Sequence, residues 1–391
     1  MPIAHAISNF MAEVVLFVLD LGVNQEAQGT LLYRLTDDMW IWGDPTTTND
    51  AWKSVRRSVD LLGLTINEKK SGSVHPEEDT YRDLPSGDVI WGFLKLDPTS
   101  GRWLIDQSQV DCHTELLKRQ LNSSKSVFSF IQLWNSCVGR FFKRTFGEPA
   151  HCFGREHVDM ILDTHKRIQE QLFGTDGSAG ESVTNHLRKI IADRFGIHDV
   201  PDAFLYLPEE LGGLALSNPF VPFLVIRDQL IKSPDGVMDN FFEWEKEEYK
   251  RVRDTFNAYG GYVKNSRGVF ELSTDGFSSS TSKDQSKFMS MTEYTQHRMS
   301  TSSELKRTYE ELCRTPWGDD ITLSTDVQAA LDRVSDLRRS GFDSDDRWLL
   351  QLCSPELLHI FGGLNIVDRG LLPLGVMTML RSKKVTWQEV L

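Results

Sequence analysis

Leu31-Leu32-Tyr33-Arg34-Leu35-Thr36-Asp37-Asp38-Met39-Trp40-Ile41-Trp42 holds two short runs of strand-forming residues, separated by a polar turn with two adjacent carboxylates. The spacing predicts a β-hairpin with both acids at its tip. Turn chemistry by itself favours aspartate. Two neighbouring exposed carboxylates can also hold a divalent cation against phosphate oxygens. The flanking elements decide between the two readings.

Upstream, Ile3, Ile7, Phe10, Val14, Phe17, Val18 and Leu21 recur at three- and four-residue intervals, which predicts one apolar face of a helix over 3–21, ended by Gly22 and Asn24. Downstream, Thr47-Thr48-Asn49-Asp50 offers N-caps for a second helix. Trp52, Val55, Val59 and Leu62 form its expected buried stripe, and Gly63 stops it. Residues 66–73 are expected to run extended, followed by a polar loop over 75–88. Val89-Ile90-Trp91-Gly92-Phe93-Leu94-Lys95-Leu96 and Arg102-Trp103-Leu104-Ile105, joined by Asp97-Pro98-Thr99-Ser100-Gly101, read as the two strands of a second hairpin. Helix, hairpin, helix, hairpin in that order implies a small antiparallel sheet backed by helices, an α+β arrangement.

Past Gln109 the pattern turns helical, with segments at 110–121, 127–146, 157–173 and 183–195. Phe204-Leu205-Tyr206 and Leu214-Ala215-Leu216, either side of Gly212-Gly213, suggest a hairpin near 203–217. A charged helix is expected at 239–259. Residues 273–303 are rich in Ser, Thr and Lys without apolar period and read as a linker. Helical spacing returns over 304–391, with Pro316 and Gly362-Gly363 as breaks. Four regions follow: 1–108, 109–272, 273–303 and 304–391.

Composition bounds the function. With 391 residues, 40% of them hydrophobic, and ten tryptophans, there is material for two or three real cores. No run of eighteen uncharged apolar residues occurs, so no membrane span is expected. The apolar N-terminus carries Glu13 and Asp20 and lacks a basic leader, which favours an amphipathic helix over a secretion signal. Five scattered cysteines without a CxxC pair point to free thiols in a reducing, intracellular setting. Cys137, His151, Cys152 and His157 fit no zinc spacing.

A net charge of −13 opposes strong autonomous binding to nucleic acid, whose affinity rests on phosphate contacts. The acid is unevenly spread, however. Residues 111–200 carry roughly one net positive charge and six of the ten histidines. Within them Arg140-Phe141-Phe142-Lys143-Arg144 combines cations for phosphates with rings for bases. The competing reading of that stretch turns both rings to a helical core and the charges to water.

In order, these elements resemble the second half of a reverse-transcriptase palm followed by a thumb. Met1-Pro2-Ile3-Ala4-His5-Ala6-Ile7-Ser8-Asn9 looks like the tail of the motif that positions template and nucleotide. Leu32 to Asp38 resembles the catalytic hairpin, and Gly63-Leu64-Thr65-Ile66-Asn67-Glu68-Lys69-Lys70-Ser71 the motif after it. Trp91-Gly92-Phe93-Leu94-Lys95-Leu96-Asp97 looks like the hairpin that grips the primer end. The chain is most similar to the reverse-transcriptase-related cellular (rvt) proteins of fungi, with telomerase reverse transcriptase second. The motifs cover about residues 1–110. Phe146-Gly147-Glu148-Pro149-Ala150 and Glu210-Leu211-Gly212-Gly213-Leu214 extend the likeness toward 260.

The resemblance implies a partial polymerase palm, a helical thumb-like region and a C-terminal helical region. It implies RNA-directed DNA polymerisation by two-metal nucleotidyl transfer, with nucleoside triphosphates and an RNA or DNA primer-template as partners. Two cations about 3.5–4 Å apart activate the attacking oxygen and stabilise the leaving one. Mg²⁺ or Mn²⁺ suits carboxylate ligands. Asp37 and Asp38 would be the metal-holding catalytic acids, and Lys70 the cation at the departing pyrophosphate. Trp91 and Gly92 would meet the primer, Pro2 and Asn9 would position the nucleotide, and Arg140, Lys143 and Arg144 would contact nucleic acid. A further aspartate on an upstream strand belongs to the family's site, and nothing precedes Met1. The expectation is therefore a C-terminal portion with little or no catalysis alone. A non-catalytic nucleic-acid-binding or interaction fragment, and a telomerase catalytic-subunit remnant, are the alternatives.

Overall fold

A computed structural model describes residues 6–27, 30–75, 83–124, 126–174, 182–258, 262–264, 270–272, 288–298, 302–316, 321–334 and 344–364. The chain is mainly helical with small antiparallel sheets, an α+β arrangement. It divides into two compact units, Met1–Gln109 and Val110–Leu391.

The first unit opens with α1 (Ala6–Glu26), then β1 (Leu31–Leu35), β2 (Asp38–Trp42) and α2 (Pro45–Leu61). β1 and β2 pair antiparallel with Leu35 opposite Asp38, leaving Thr36-Asp37 as a two-residue turn. Strand alternation gives the hairpin two faces. Leu32, Met39 and Ile41 pack inward against Leu19, Val23 and Ala27 of the α1 region and Ala51, Val55 and Val59 of α2. Leu31, Tyr33, Leu35, Asp38, Trp40 and Trp42 take the other face. α2 starts one turn earlier than its Thr47–Asp50 cap residues suggested. Asp44 is the cap, accepting from the amides of Thr46 and Thr47, with Pro45 at the first helical position. The Thr47 hydroxyl, followed by the backbone amides, holds the Asp44 carboxyl below its usual range. Val55 and Val59 are buried as expected, Trp52 is half-buried, and Leu62 is exposed.

Three expectations for this unit need correction. The 66–73 stretch is not extended throughout: Glu68–Lys70 forms a 3₁₀ turn, closed by the Lys70 amide donating to Asn67 O at 2.9 Å. The run 89–96 is not one strand. It folds back on itself at Gly92-Phe93, giving β3 (Ile90–Trp91) and β4 (Leu94–Leu96), and with β5 (Trp103–Ile105) a three-stranded meander. Gly92 has φ +59°, which a residue without Cβ adopts without cost. Third, Gly22 and Asn24 do not end the first helix, which runs on to Glu26 with its apolar stripe exposed. Ile7, Phe10, Met11, Val14, Phe17, Val18 and Leu21 are all exposed, and Leu19 and Val23 are the buried residues; Ile3 lies outside the described residues. Over Ile7–Glu26 this helix is also long and apolar enough to cross a membrane by length and composition.

The second unit begins with α3 (Gln107–Ser123), which starts just ahead of it, and continues through α4 (Val127–Ser136), a π-helical segment Cys137–Phe142 and α5 (Lys143–Thr145). Then come α6 (Gly154–Phe173), α7 (Val183–Phe195), α8 (Asp202–Tyr206), α9 (Val221–Arg227) and α10 (Asp235–Ala258). β6 (Tyr262–Lys264) pairs with β7 (Phe270–Leu272), and α11 (Met291–Arg298), α12 (Ser303–Cys313), α13 (Thr325–Arg333) and α14 (Ser344–Phe361) follow. Here the core includes large aromatic rings, with Trp134, Phe142, Phe146 and Phe223 among its fully buried side chains. A second cluster joins Ala203, Leu207 and Leu211 to Val327 and Ala330 of α13 and Leu350 and Leu357 of α14.

The hairpin expected near 203–217 is instead α8 followed by a 3₁₀ turn at Glu209–Leu211. Leu214 and Leu216 still hydrogen-bond back, their amides donating to Phe204 O and Leu205 O at 2.9 Å. Gly213 permits this return, since a Cβ there would lie 2.0 Å from Leu207 O. The expected linker 273–303 is part helix: α11 occupies its later half, anchored by buried Met289 and Tyr294. Its residues 273–287 lie outside the described residues.

Candidate functional site

The acids sit where the sequence put them. Asp37 is in the hairpin turn, Asp38 is the first residue of β2, and both are exposed. Thr36 precedes them with φ +55°, a conformation that costs a β-branched residue of order 1–3 kcal/mol. The turn is held by its own hydrogen bonds and by one largely covered cation. Thr36 Oγ1 donates to Asp37 Oδ1 at 3.0 Å, and Arg34 Nη1 donates to Thr36 O at 2.8 Å.

Arg34 is the residue that sequence reasoning passed over. Its side chain is only 12% exposed and lies on the inner face of the hairpin. Nε reaches Asp20 Oδ2 and Nη2 reaches Glu13 Oε2, each at 2.9 Å. One guanidinium thus ties two α1 carboxylates to the backbone of the acidic turn, in the planar fork geometry that lysine cannot supply. Hydrogen bonding to Arg34 holds the Glu13 carboxyl below the usual range. The signal was present: acids seven residues apart on a helix with no basic residue, ahead of a lone arginine in a strand.

Trp91 comes to the same place from the meander. Its ring stacks on Trp40 with centroids 3.9 Å apart and on Tyr33 at 5.8 Å. Trp40 is left 9% exposed, whereas Trp91 keeps 36% and Tyr33 47%. Such ring pairs contribute about 1 kcal/mol each beyond area burial. The acidic turn at Thr36-Asp37 and the Gly92-Phe93 turn therefore belong to hairpins joined by one aromatic stack. An exposed ledge of Tyr33 and Trp91 lies on the face that also carries Asp38.

The remaining expected site residues are spread more widely. Lys70 is exposed at the end of its 3₁₀ turn, and Asn9 is exposed on α1. Pro2 lies outside the described residues. In the second unit, Arg140 and Arg144 are exposed, and Arg140 donates to Ser136 Oγ at 3.0 Å. Lys143 is committed to Asp345, Nζ to Oδ2 3.1 Å, so its charge is already answered within the protein. Of the two rings between them, Phe142 is buried and Phe141 is exposed, stacked against His113 with centroids 6.4 Å apart. Consecutive residues on a helix diverge by about 100°, which separates them. In the same π-helical segment Gly139 lies against Ser217, where a Cβ would come within 2.6 Å of that side chain.

Among the described residues no group of three or more His, Cys, Asp or Glu side chains could together hold a metal ion. The donor set at the turn is two hard carboxylates open to solvent. Mg²⁺ is commonly held by one or two carboxylates, with water and substrate phosphate completing the shell. By that chemistry Asp37 and Asp38 fit a cation that arrives with a phosphate, and they do not form a closed cage. The chain matches no protein-family model, no curated protein and no solved structure.

Proposed function

We propose that the first unit is a palm-like module of a template-dependent nucleotidyltransferase of reverse-transcriptase type, presenting Asp37 and Asp38 to a phosphate-bound divalent cation. On the same reading the second unit begins with the thumb-like region. The juxtaposition of the acidic turn with the Trp91-Gly92 turn, through the stack of Tyr33, Trp40 and Trp91, carries this reading. Two segments more than fifty residues apart in sequence, expected to serve the reacting phosphate and the primer end, belong to separate small sheets whose rings stack on one another.

A bound Mg²⁺ or Mn²⁺ would supply charge stabilisation at the transferring phosphate. The chain's own residues supply the rest. Arg34 fixes the turn, Asp37 and Asp38 offer oxygen ligands, and Trp91 and Tyr33 offer ring faces on which a base or sugar can rest. Two carboxylates on a solvent-open turn hold a cation loosely. Binding with little or no nucleotide incorporation is therefore expected of this chain alone.

Fluorescence anisotropy with a labelled primer-template tests the reading. Mn²⁺-dependent binding is expected, weakened at least about tenfold by Asp37→Ala with Asp38→Ala and by Trp91→Ala. Binding that ignores both Mn²⁺ and these changes would refute it. The competing non-catalytic reading draws on the missing third ligand among the described residues. It requires that binding survive loss of the acids while depending on Trp91. Mn²⁺-dependent primer extension, abolished by Asp37→Ala, would show a stronger activity than expected here.

A further inference from the structure

The outer face of α1 follows a heptad. Ile7, Val14 and Leu21 occupy one seam position, Phe10 and Phe17 the other, and Met11 and Val18 flank them, each between 45% and 66% exposed. Together they present on the order of 800 Å² of apolar surface, which is one partner's share of a stable interface of ordinary size. A monomer seldom leaves so much contiguous apolar area uncovered. A strict seven-residue repeat is also the pattern that accepts another helix.

The charges on α1 narrow the occupant. Its three acids are all engaged by arginines of the same chain: Glu13 and Asp20 by Arg34, and Glu26 by Arg57. The outer face therefore carries no charge that would repel an identical face. α1 has no Lys or Arg, the residues that attract helices to anionic lipid surfaces. The face is also complementary to itself. A two-fold axis through Val14 sets Ile7 opposite Leu21, Phe10 opposite Val18 and Met11 opposite Phe17, so that every pairing is apolar against apolar.

We propose that this face is covered by the α1 helix of a second copy of the chain, packed antiparallel about Val14 in an isologous dimer. The full chain at about 20 µM in sedimentation velocity is expected to run at twice its 44.6 kDa mass. Phe10→Glu with Phe17→Glu should leave the circular dichroism spectrum intact, since both rings are exposed, and should raise the dissociation constant at least about a hundredfold. Because residue 14 meets its own copy on the axis, Val14→Cys should form a disulfide between the two copies of that position under mild oxidation. The resulting cross-linked peptide is distinguishable by mass from any involving the five native cysteines.

A chain monomeric at that concentration would overturn the proposal, as would a dimer indifferent to the double glutamate change. So would a Val14→Cys dimer that never cross-links at residue 14. A monomer that binds phosphatidylcholine vesicles through the same phenylalanines would assign the face to lipid and likewise overturn it.

Discussion

The two units differ in how deeply their largest side chains are buried, although both leave some large apolar side chains exposed. In the second, Trp134, Phe142, Phe146 and Phe223 are sealed from solvent among helices that supply each other's cover. In the first, Phe10, Phe17, Tyr33, Trp42 and Trp91 are left open, and Leu19 is its one residue among the largest fully buried side chains. The same region carries the acidic turn, a strained Thr36 and a stacked aromatic ledge. On the proposed reading, recognition falls to the first unit, whose share of the largest fully buried side chains is Leu19 alone.

That contrast can be broken most forcefully by truncating one aromatic in each unit. Trp134→Ala removes a fully buried ring and the donor to Ser217 O at 3.0 Å. It is expected to cost about 4 kcal/mol in denaturant unfolding. Phe17→Ala should stay within about 0.5 kcal/mol under dilute conditions where the chain is monomeric. Equal losses would mean that the α1 face is packed in the free chain.

His165 sharpens the comparison by pH. It is fully buried in the second unit against Phe146, Phe220 and Phe223, and neither ring nitrogen has a partner among the described residues. Burial pushes its pKa down to about 4. The unfolded chain, with an ordinary imidazole near 6.5, takes up a proton that the folded one refuses. The protonation penalty is therefore absent at neutral pH, and stability falls as pH drops from about 6.5 to 4, by roughly 3 kcal/mol. His165→Phe should flatten that part of the profile. An unchanged slope would show that the imidazole is not buried neutral.

Arg34→Met is the intermediate case. It leaves Glu13 and Asp20 without their partner and frees the carbonyl of Thr36. Amide hydrogen exchange should quicken across the turn and nearby α1, with the second unit unchanged. The effect on unfolding should be smaller than that of Trp134→Ala and larger than that of Phe17→Ala. Protection that survives at the turn would remove Arg34 from its positioning role.

Much of this was legible in the residues. The acidic hairpin was, because strand formers flank a polar pair at the two-residue spacing. So was α7, which runs Val183–Phe195 as its apolar spacing predicts. The turn at Gly92 was not, because 89–96 is a continuous strand-forming run and a lone glycine within one reads equally as a bulge. The orientation of α1 was hidden for a different reason. Its charges look like markers of the solvent side, yet they pair with Arg34 and Arg57 while the apolar stripe is exposed as well. α11 was hidden because its anchors, Met289 and Tyr294, are too far apart to make a period in a Ser- and Thr-rich stretch. Nor could spacing show that Asp345 neutralises Lys143 from two hundred residues away.

The most direct test of the recognition role is Mn²⁺ uptake with a nucleoside triphosphate, read by electron paramagnetic resonance on the wild-type chain and on Asp37→Asn with Asp38→Asn. The account predicts one nucleotide-dependent Mn²⁺ site in the wild type, weakened at least about tenfold in the variant with no change in thermal unfolding. Equal uptake by both chains, or none by either, would contradict it.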